Sequence, residues 1–283
     1  LLSGGGVAEG DTIFYFVVAQ DDAGNLTSNP PGATASASPP VTNISGHGTQ
    51  NSFRIFKPLK VVNTVGVGGD YASLTGPGGA FEAVSNSVLA ENVVIKVTSD
   101  LDETGNVTLK QWQETGGGHY TVTIQSDSAT LRTISGSVPS DLLTLDGVSR
   151  VIIDGRQGGA GRFLLFRNSY TGTQSSTLRF VNDASSNTVR NCVFEGACAN
   201  TTRGVIDFGT GVVTGNDNNL ITGCQVRDVS TAVVPVEVLV GSAGSSATIS
   251  NSGNTLENNE LFNFNSTIGF IYFSFKISLH VSE

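Results

Sequence analysis

Short apolar runs separated by turn-forming residues dominate the chain from about Phe53 onward. Val93–Val97, Tyr120–Ile124 and Val151–Gly155 are examples, and Gly, Asn, Ser or Asp residues stand between such runs. Runs of this length that contain β-branched residues and are bounded by turn residues are typical of β-strands. The pattern therefore predicts a succession of short strands with tight connections.

One strand-and-turn pattern recurs three times in the second half of the chain. Asn187–Phe194 aligns with Asn219–Val226 after a step of 32 residues, and again with Asn254–Leu261 after a step of 35 residues. A period of 20–50 residues indicates a solenoid, and each period here has room for at least two strands. The clearest repeats, residues 187–264, predict rungs of a parallel β-helix that are stacked about 4.8 Å apart.

A sharp bend in each repeat is predicted to point one side chain into the core. Cys192, Cys224 and Asn259 occupy this position. A buried Asn can satisfy its amide against the backbone of neighbouring rungs, and stacked cysteines point in parallel, which favours free thiols. The same alignment places Glu195 beside Arg227 and predicts an ion pair between rungs.

Residues 79–89 depart from the strand pattern. Phe81, Val84 and Val88 lie at helical spacing within this segment. A solenoid must cover its open end, and a short amphipathic helix can do so. We therefore predict that a helix over about 79–89 caps the N-terminal end before the first rung.

The first 40 residues have a different character. Gly10–Asn25 joins a β-propensity run to an Asp, Gly and Asn turn, and it resembles the late strands of bacterial fibronectin-III-like or Ig-like modules. A whole module of that kind needs about seven strands. The resemblance implies two domains: residues 1–40, the truncated tail of such a module plus a Pro, Ala and Ser-rich linker, and residues 41–283, a parallel β-helix truncated at its C-terminus.

Several segments of the β-helix region resemble one group of proteins. Tyr71–Thr75, Asn92–Ile95, Arg150–Arg156 and the Asn-Thr-Val-Arg-Asn-Cys repeat are similar to large secreted surface proteins of Bacteroidetes-type bacteria. Those proteins carry right-handed β-helices of the pectin-lyase-like superfamily. The resemblance implies an all-β fold: a right-handed parallel β-helix solenoid with an N-terminal cap helix, preceded by a partial β-sandwich segment. That superfamily includes enzymes, adhesins and proteins of no known activity, so the fold does not give the function.

Composition and charge narrow the classes of partner. Hydrophobic residues make up 38% of the chain, charged residues 14%, and the net charge is −9. This hydrophobic content excludes a disordered chain, and the acidic balance argues against nucleic acid as a partner. No apolar stretch is long enough for a membrane-spanning helix. The absence of Met predicts a fragment of a secreted or cell-surface protein, and an uncapped last rung predicts end-to-end self-association.

Carboxylates are the candidate reactive groups. If the chain is an enzyme, the catalytic candidates are those in or just after predicted strands: Asp154, Glu195, Asp207 and Asp228. A glycoside hydrolase needs two carboxyls about 5–9.5 Å apart, which two adjacent rungs could supply. Two oxygen-rich loops hold the candidate calcium ligands, since carboxylate oxygens bind this ion: Asp100, Asp102, Glu103 and Asp217.

No complete catalytic constellation emerges from the sequence. We therefore expect a non-catalytic extracellular scaffold, an adhesin or a glycan-binding β-helix whose partners are polysaccharides or cell-surface glycans. The alternative is a polysaccharide lyase or glycoside hydrolase that acts in a groove on a rung face. Clustered carboxylates in a groove, or carboxylates beside an arginine, would favour the enzyme, whereas isolated ion pairs on a flat face would favour the scaffold.

Overall fold

The computed structural model describes residues 6–8, 11–35, 44–47, 50–55, 59–199, 203–229, 236–265 and 271–273. The chain divides into two compact units, Leu1–Lys57 and Pro58–Glu283. The first unit is a set of antiparallel strand pairs, and the second is a parallel β-solenoid of about six turns. Each unit folds around its own strand pairings and is described separately below.

The first unit contains three antiparallel pairs, in which β1 pairs with β6, β2 with β3 and β4 with β5. Where burial is described in this unit, no side chain is buried. The strands are β1 (Thr12–Tyr15), β2 (Val17–Gln20), β3 (Leu26–Asn29), β4 (Ala33–Ala35), β5 (Ile44–His47) and β6 (Asn51–Arg54).

The boundary between the units lies after Lys57 rather than after residue 40. The predicted linker contains β4, and β6 returns to pair with β1, so residues 44–54 belong to the first unit. Local composition could not show this, because the pairing joins segments almost 40 residues apart. The relation of this unit to fibronectin-III or Ig-like modules stays a prediction.

Three parallel sheets form the sides of the solenoid, and we name them sheets A, B and C. Sheet A contains β7 (Val62–Val65), β9 (Val93–Val97), β13 (Val122–Ser126), β16 (Val151–Asp154), β19 (Thr188–Arg190), β22 (Leu220–Thr222) and β25 (Thr255–Glu257). Sheet B contains β10 (Leu101–Asp102), β14 (Arg132–Gly136), β17 (Leu164–Asn168), β20 (Val193–Gly196), β23 (Gln225–Asp228) and β26 (Glu260–Phe262). Sheet C contains β11 (Leu109–Lys110), β15 (Leu143–Asp146), β18 (Leu178–Val181), β21 (Ile206–Phe208), β24 (Val240–Ser242) and β27 (Ile271–Phe273).

A rung is one strand of each sheet, taken in the order A, B, C, so rung 1 runs from β9 to β11 and rung 6 from β25 to β27. Strand alternation sends every second side chain inward, where equivalent residues of successive rungs stack. Phe166 stacks on Phe194 with ring centroids 5.1 Å apart, and Phe180 stacks on Phe208 at 4.7 Å. Each buried Phe contributes about 1.5–3 kcal/mol, so these rows are a main source of stability.

A ladder of asparagines supports the turn between sheet C and sheet A. The Asn187 backbone N–H and side-chain amide both donate to Asn219 Oδ1 at 3.0 Å. Asn219 makes the same two bonds to Asn254 at 2.9 and 3.0 Å. The three residues are the first members of the aligned repeats, so the predicted register and the parallel β-helix are confirmed.

The bend between sheet A and sheet B is equally regular. Cys192 and Cys224 are free and buried, as predicted. The Cys224 backbone N–H donates to Asn259 Oδ1 at 2.9 Å, and the Asn259 amide donates to the carbonyl of Ile221 at 2.9 Å. Asn259 therefore satisfies the backbone of the preceding rung in the predicted way.

The predicted cap helix is shorter than its hydrophobic spacing indicates. Helix α1 spans Ala80–Ser85, and Val88 belongs to strand β8 (Val88–Leu89), which pairs with β12 (Gln113–Glu114). Ser87 ends the helix, because its hydroxyl donates to the carbonyl of Val84 at 2.7 Å. The order also differs, since β7 precedes α1 and already pairs with β9. Helix α1 packs against β11, which is the N-terminal edge strand of sheet C.

The C-terminal residues include a further strand of the solenoid. Strand β27 pairs in parallel with β24, so residues 271–273 belong to sheet C. Residues 266–270 and 274–283 lie outside the described residues. Within the described part of the chain, no helix has the length and apolar character that a membrane span requires.

Candidate functional site

The four candidate catalytic carboxylates lie on three different sides of the solenoid. Asp154 is in β16 of sheet A, Glu195 and Asp228 are in β20 and β23 of sheet B, and Asp207 is in β21 of sheet C. The two on sheet B point to opposite faces of the sheet. Asp228 points to the same side as the buried Val226, whereas Glu195 pairs with Arg227 on the outer face. The structure therefore does not bring the four together.

Asp154 is held by two arginines on the outer face of sheet A. Arg156 Nε lies 2.9 Å from Asp154 Oδ1, and Arg190 Nη2 lies 2.7 Å from Oδ2. Burial raises the pKa of Asp154, but the hydrogen bonds from Arg156 and Arg190 outweigh it and leave the pKa below its ordinary value. Asp154 is thus a stable carboxylate in a saturated ion pair.

Glu195 lies between two arginines on the outer face of sheet B. Arg167, Glu195 and Arg227 occupy one outward row in successive rungs. Arg227 Nη2 lies 2.7 Å from Glu195 Oε1, and Arg167 Nε donates to Oε2. The ion pair predicted from the repeat alignment is confirmed, and a second arginine that the alignment did not include completes it.

Asp207 is the centre of a four-residue charge cluster on sheet C. Arg179 Nε lies 3.0 Å from Asp207 Oδ2, and Arg179 Nη1 lies 3.4 Å from Asp141 Oδ2. Arg203 Nη1 lies 3.5 Å from Asp141 Oδ1. Only 1% of Asp207 is exposed, and this burial raises its pKa to about 6 despite the nearby arginines. Sequence reasoning missed Asp141, Arg179 and Arg203, because they come from separate loops and rungs.

Asp228 is buried near the end of its strand. The Val236 backbone N–H donates to Asp228 Oδ2 at 2.9 Å, whereas Oδ1 has no hydrogen-bond partner among the described residues. Burial raises the pKa of Asp228 above its ordinary value. The contact of this carboxylate is therefore with the backbone eight residues further along the chain.

The candidate calcium ligands serve backbone and hydroxyl donors. Glu103 is buried and accepts bonds from the backbone N–H groups of Leu74 (2.6 Å) and Thr75 (2.7 Å). Asp100 accepts from the Thr133 N–H and Asp217 accepts from the Ser252 N–H, and each donor lies in the next rung. Asp102 is exposed on β10. Among the described residues, no group of three or more His, Cys, Asp or Glu side chains is arranged to hold a metal ion.

An open groove of about 510 Å³ runs over the outer face of sheet B. Leu165, Val193 and Gln225 lie in one outward row of successive rungs and form its floor. The groove is lined by Leu131, Gly161, Arg162, Leu165, Asn191, Val193, Gln225 and Arg227. Its described lining thus combines aliphatic groups, side-chain amides and two arginines.

Arg162 reaches this groove from the loop between β16 and β17. Gly158 and Gly159 have φ values of 57° and 87°, which permit the tight turn of this loop. Arg162 Nε donates to the carbonyl of Gly223 at 2.8 Å, and Nη2 lies 2.6 Å from Glu260 Oε1. A residue from a loop of rung 3 therefore contacts the backbone of rung 5 and a side chain of rung 6, and no local sequence pattern indicates this.

The groove is not lined by any of the four candidate catalytic carboxylates. A hydrolase pair requires two accessible carboxyls on opposite sides of a bound sugar. Glu195 is the candidate nearest the groove, but its side chain is only 3% exposed and engages two arginines. The floor residues Leu165 and Val193 are only 6% and 7% exposed, and Arg162, Arg227 and Gln225 of the lining are bonded to Glu260 or Glu195.

Comparison of the chain with protein-family models, with curated proteins and with solved structures finds no match. The parallel β-solenoid and the geometry of its outer faces are therefore the grounds for a functional proposal.

Proposed function

We propose that this chain is a non-catalytic scaffold of an extracellular or cell-surface protein, in which the solenoid presents a glycan-binding surface. The observation that carries the proposal is the separation of Asp154, Glu195 and Asp207 onto three sheets, each engaged by arginine. Both carboxylate oxygens of Asp154 and of Glu195 are bonded to arginine, so neither residue has a free position for a substrate, whereas Oδ1 of Asp207 has no hydrogen-bond partner among the described residues.

The solenoid geometry supports the scaffold. Stacked rungs with continuous ladders form a stiff, elongated face, which is how solenoid proteins present extended binding surfaces. Membership of the pectin-lyase-like superfamily, a place among secreted surface proteins of Bacteroidetes-type bacteria and a fibronectin-like or Ig-like first unit belong to the same proposal. They rest on the sequence resemblance alone.

Two measurements on the full chain test this proposal. We expect no cleavage when the protein is incubated with a panel of acidic and neutral polysaccharides, followed by reducing-end release and by the ultraviolet absorbance of unsaturated uronides. We expect retention of the protein on at least one immobilised polysaccharide of the panel. Robust cleavage of any substrate, or retention on none, would overturn the proposal.

The charge cluster on sheet C favours a second candidate function, a polysaccharide lyase or glycoside hydrolase. Asp207 and Asp141 lie beside Arg179 and Arg203, Oδ1 of Asp207 has no hydrogen-bond partner among the described residues, and the Asp207 pKa of about 6 suits a general acid. Because the Asp207 side chain is only 2% exposed, this candidate requires the cluster to open for a substrate. If the panel shows cleavage, Asp207→Asn should reduce it at least about a hundredfold. Asp154→Asn, a matched change on sheet A, should leave the rate within about twofold, and equal rates in both variants would exclude this candidate.

A further inference from the structure

The outer face of sheet A carries two straight rows of outward side chains across rungs 1 to 6. In row 1, aliphatic residues alternate with threonines: Val94, Thr123, Ile152, Thr188, Leu220 and Thr255. Row 2 contains four charged residues among polar ones: Lys96, Gln125, Asp154, Arg190, Thr222 and Glu257. None of the row 1 residues is buried, so this face presents a stripe of uncharged side chains beside a row of charges.

The charges of row 2 follow an order that is complementary to its own reverse. From rung 1 to rung 6, the row is positive at Lys96, neutral, negative at Asp154, positive at Arg190, neutral and negative at Glu257. If the order is reversed and every sign is changed, the same order results. A second copy that is turned end over end, with its rung 6 opposite rung 1, therefore places an opposite charge against each charge of this row.

The two charges at the ends of row 2 are available for such a contact. Lys96 and Glu257 form no ion pair with any residue that the structure describes. They lie five rung spacings apart, about 24 Å, and cannot reach each other within one chain. In the turned arrangement, Lys96 of each copy faces Glu257 of the other. At the centre, Arg190 Nη2 lies 2.7 Å from Asp154 Oδ2 within the chain, and the second copy adds the same pair in the opposite order.

Row 1 supplies the uncharged part of the contact. In the same arrangement an aliphatic side chain always faces a threonine, so larger groups of one copy oppose smaller groups of the other. The facing positions are Val94 with Thr255, Thr123 with Leu220, and Ile152 with Thr188. Six strands span about 29 Å and the two rows about 13 Å, so two copies bury on the order of 800–1,000 Å² in total. This area is at the lower limit for specific interfaces, which indicates a weak dimer.

We propose that two copies of this chain associate through the outer faces of sheet A, about a twofold axis that is parallel to the strands and passes between β16 and β19. The contact uses the same surface on both copies and closes on itself, so assembly stops at the dimer. The dissociation constant should be on the order of 10–100 μM. This inference goes beyond the proposed function and does not depend on glycan binding.

Sedimentation velocity of the full chain, over protein concentrations from about 1 μM to 1 mM, tests the inference. We expect a monomer–dimer equilibrium with no larger species. Because charge pairs at the edge of the interface are screened by salt, the dissociation constant should rise about threefold or more when the salt concentration is raised from 50 mM to 500 mM.

A charge exchange locates the interface. Lys96→Glu sets like charges against each other twice in each dimer and should weaken association about tenfold or more, as should Glu257→Lys at the other end of the row. The double variant restores opposite charges between copies and should return the dissociation constant to within about threefold of wild type. Since the two residues are about 24 Å apart in one chain, only a contact between copies can produce this rescue.

Lys110→Glu is the matched control for the change of net charge. Lys110 lies on sheet C, its side chain is 65% exposed, and its substitution should leave the dissociation constant within about twofold of wild type. If Lys96→Glu does not fold, Glu257→Lys and Lys110→Glu give the same comparison.

Four outcomes would overturn the inference. The first is a monomer at every concentration, and the second is a dimer that Lys96→Glu and Glu257→Lys leave unchanged. The third is a double variant that stays as weak as the single ones. The fourth is a series of oligomers that grows beyond the dimer, since association through the ends of the solenoid would not close. The polysaccharide panel is unaffected by any of these results, so the proposed function fails or stands separately.

Discussion

Arginine determines the surface chemistry of the solenoid at the scale of single residues. Each of the nine arginines between positions 132 and 227 lies within ion-pair distance of a carboxylate: Arg132, Arg150, Arg156, Arg162, Arg167, Arg179, Arg190, Arg203 and Arg227. The guanidinium can join carboxylates of two rungs because it donates in several directions. Arginine therefore engages many of the carboxylates on the rung faces, among them Asp154, Glu195 and Asp207.

Asp207 should make the stability of the solenoid fall with rising pH. Its pKa is about 6 in the folded protein and about 3.9 in an unfolded chain. The folded state thus holds this proton more tightly, and the associated stability is full below pH 4 and is lost as pH rises through 6. The Asn variant lacks this titration. The unfolding free energy of Asp207→Asn minus that of wild type should therefore increase by on the order of 2 kcal/mol from pH 4 to pH 7.5, as measured by urea denaturation at each pH.

Asp183 supplies a control of opposite sign. Its carboxylate accepts backbone N–H bonds from Val212 (2.8 Å) and Gly215 (2.9 Å), among others in that loop. Burial raises the pKa of Asp183, but these backbone bonds outweigh it and lower the pKa. Stability from Asp183 is therefore present above pH 4 and is lost in acid, so Asp183→Asn should lose stability relative to wild type as pH rises. The same trend in both variants would contradict our assignment.

At the scale of elements, the asparagine ladder should be a strong determinant of rung stacking. Asn219 is buried, accepts two bonds from Asn187 and donates to the carbonyl of Ala184 at 2.9 Å. Asn219→Ala leaves several buried polar groups without partners and should lower the unfolding free energy by about 3 kcal/mol or more. Asn106→Ala, at an exposed residue, should change it by less than about 0.5 kcal/mol. Equal losses in urea denaturation would show that the ladder does not carry this stability.

The elements that the sequence could predict are those with a repeated polar residue. Asn187, Asn219 and Asn254 mark the same turn, and this alone determines the register that pairs Glu195 with Arg227. Rungs 1 to 3 lack the repeat, and their strands were predicted only as separate apolar runs. The predicted end of α1 was wrong, because the hydrophobic spacing continues to Val88. The helix ends at Ser85, and the Ser87 hydroxyl donates to the carbonyl of Val84.

The groove could not be predicted, because its parts are far apart in the chain. Arg162 and Glu260 are separated by 98 residues in the chain. They meet only because the loop of rung 3 that carries Arg162 approaches rung 6. Asp141 and Arg203 likewise meet only because separate loops cover the outer face of sheet C. Sequence patterns report which face a strand residue occupies, but not which loop lies above it.

At the scale of the whole solenoid, stability should be the sum of terms between neighbouring rungs. Phe194 in rung 4 stacks on Phe166 in rung 3, and it is fully buried. Phe194→Ala should cost about 3–5 kcal/mol and should uncouple the two ends of the solenoid. Urea unfolding followed by the fluorescence of the single tryptophan, Trp112 in the N-terminal part, should then separate from unfolding followed by circular dichroism.

Phe194→Leu keeps most of the buried volume and serves as the matched control. Its two transitions should coincide, as they should in wild type, with a loss below about 1.5 kcal/mol. Coincident transitions in Phe194→Ala would mean that the solenoid unfolds as one cooperative unit even when its central contact is lost.

Asn219 and Asn254 are equivalent positions one rung apart, so the solenoid can change its length by whole rungs. Both side chains occupy the same turn and accept the same pair of bonds from the preceding rung. Removal of residues 219–253 would therefore bring Asn254 directly under Asn187 with its donors and acceptors matched. Whole rungs can be gained or lost without a mismatch at the junction, so genetic duplication or deletion at this period would adjust the reach of the solenoid in steps of about 4.8 Å while leaving its outer faces continuous.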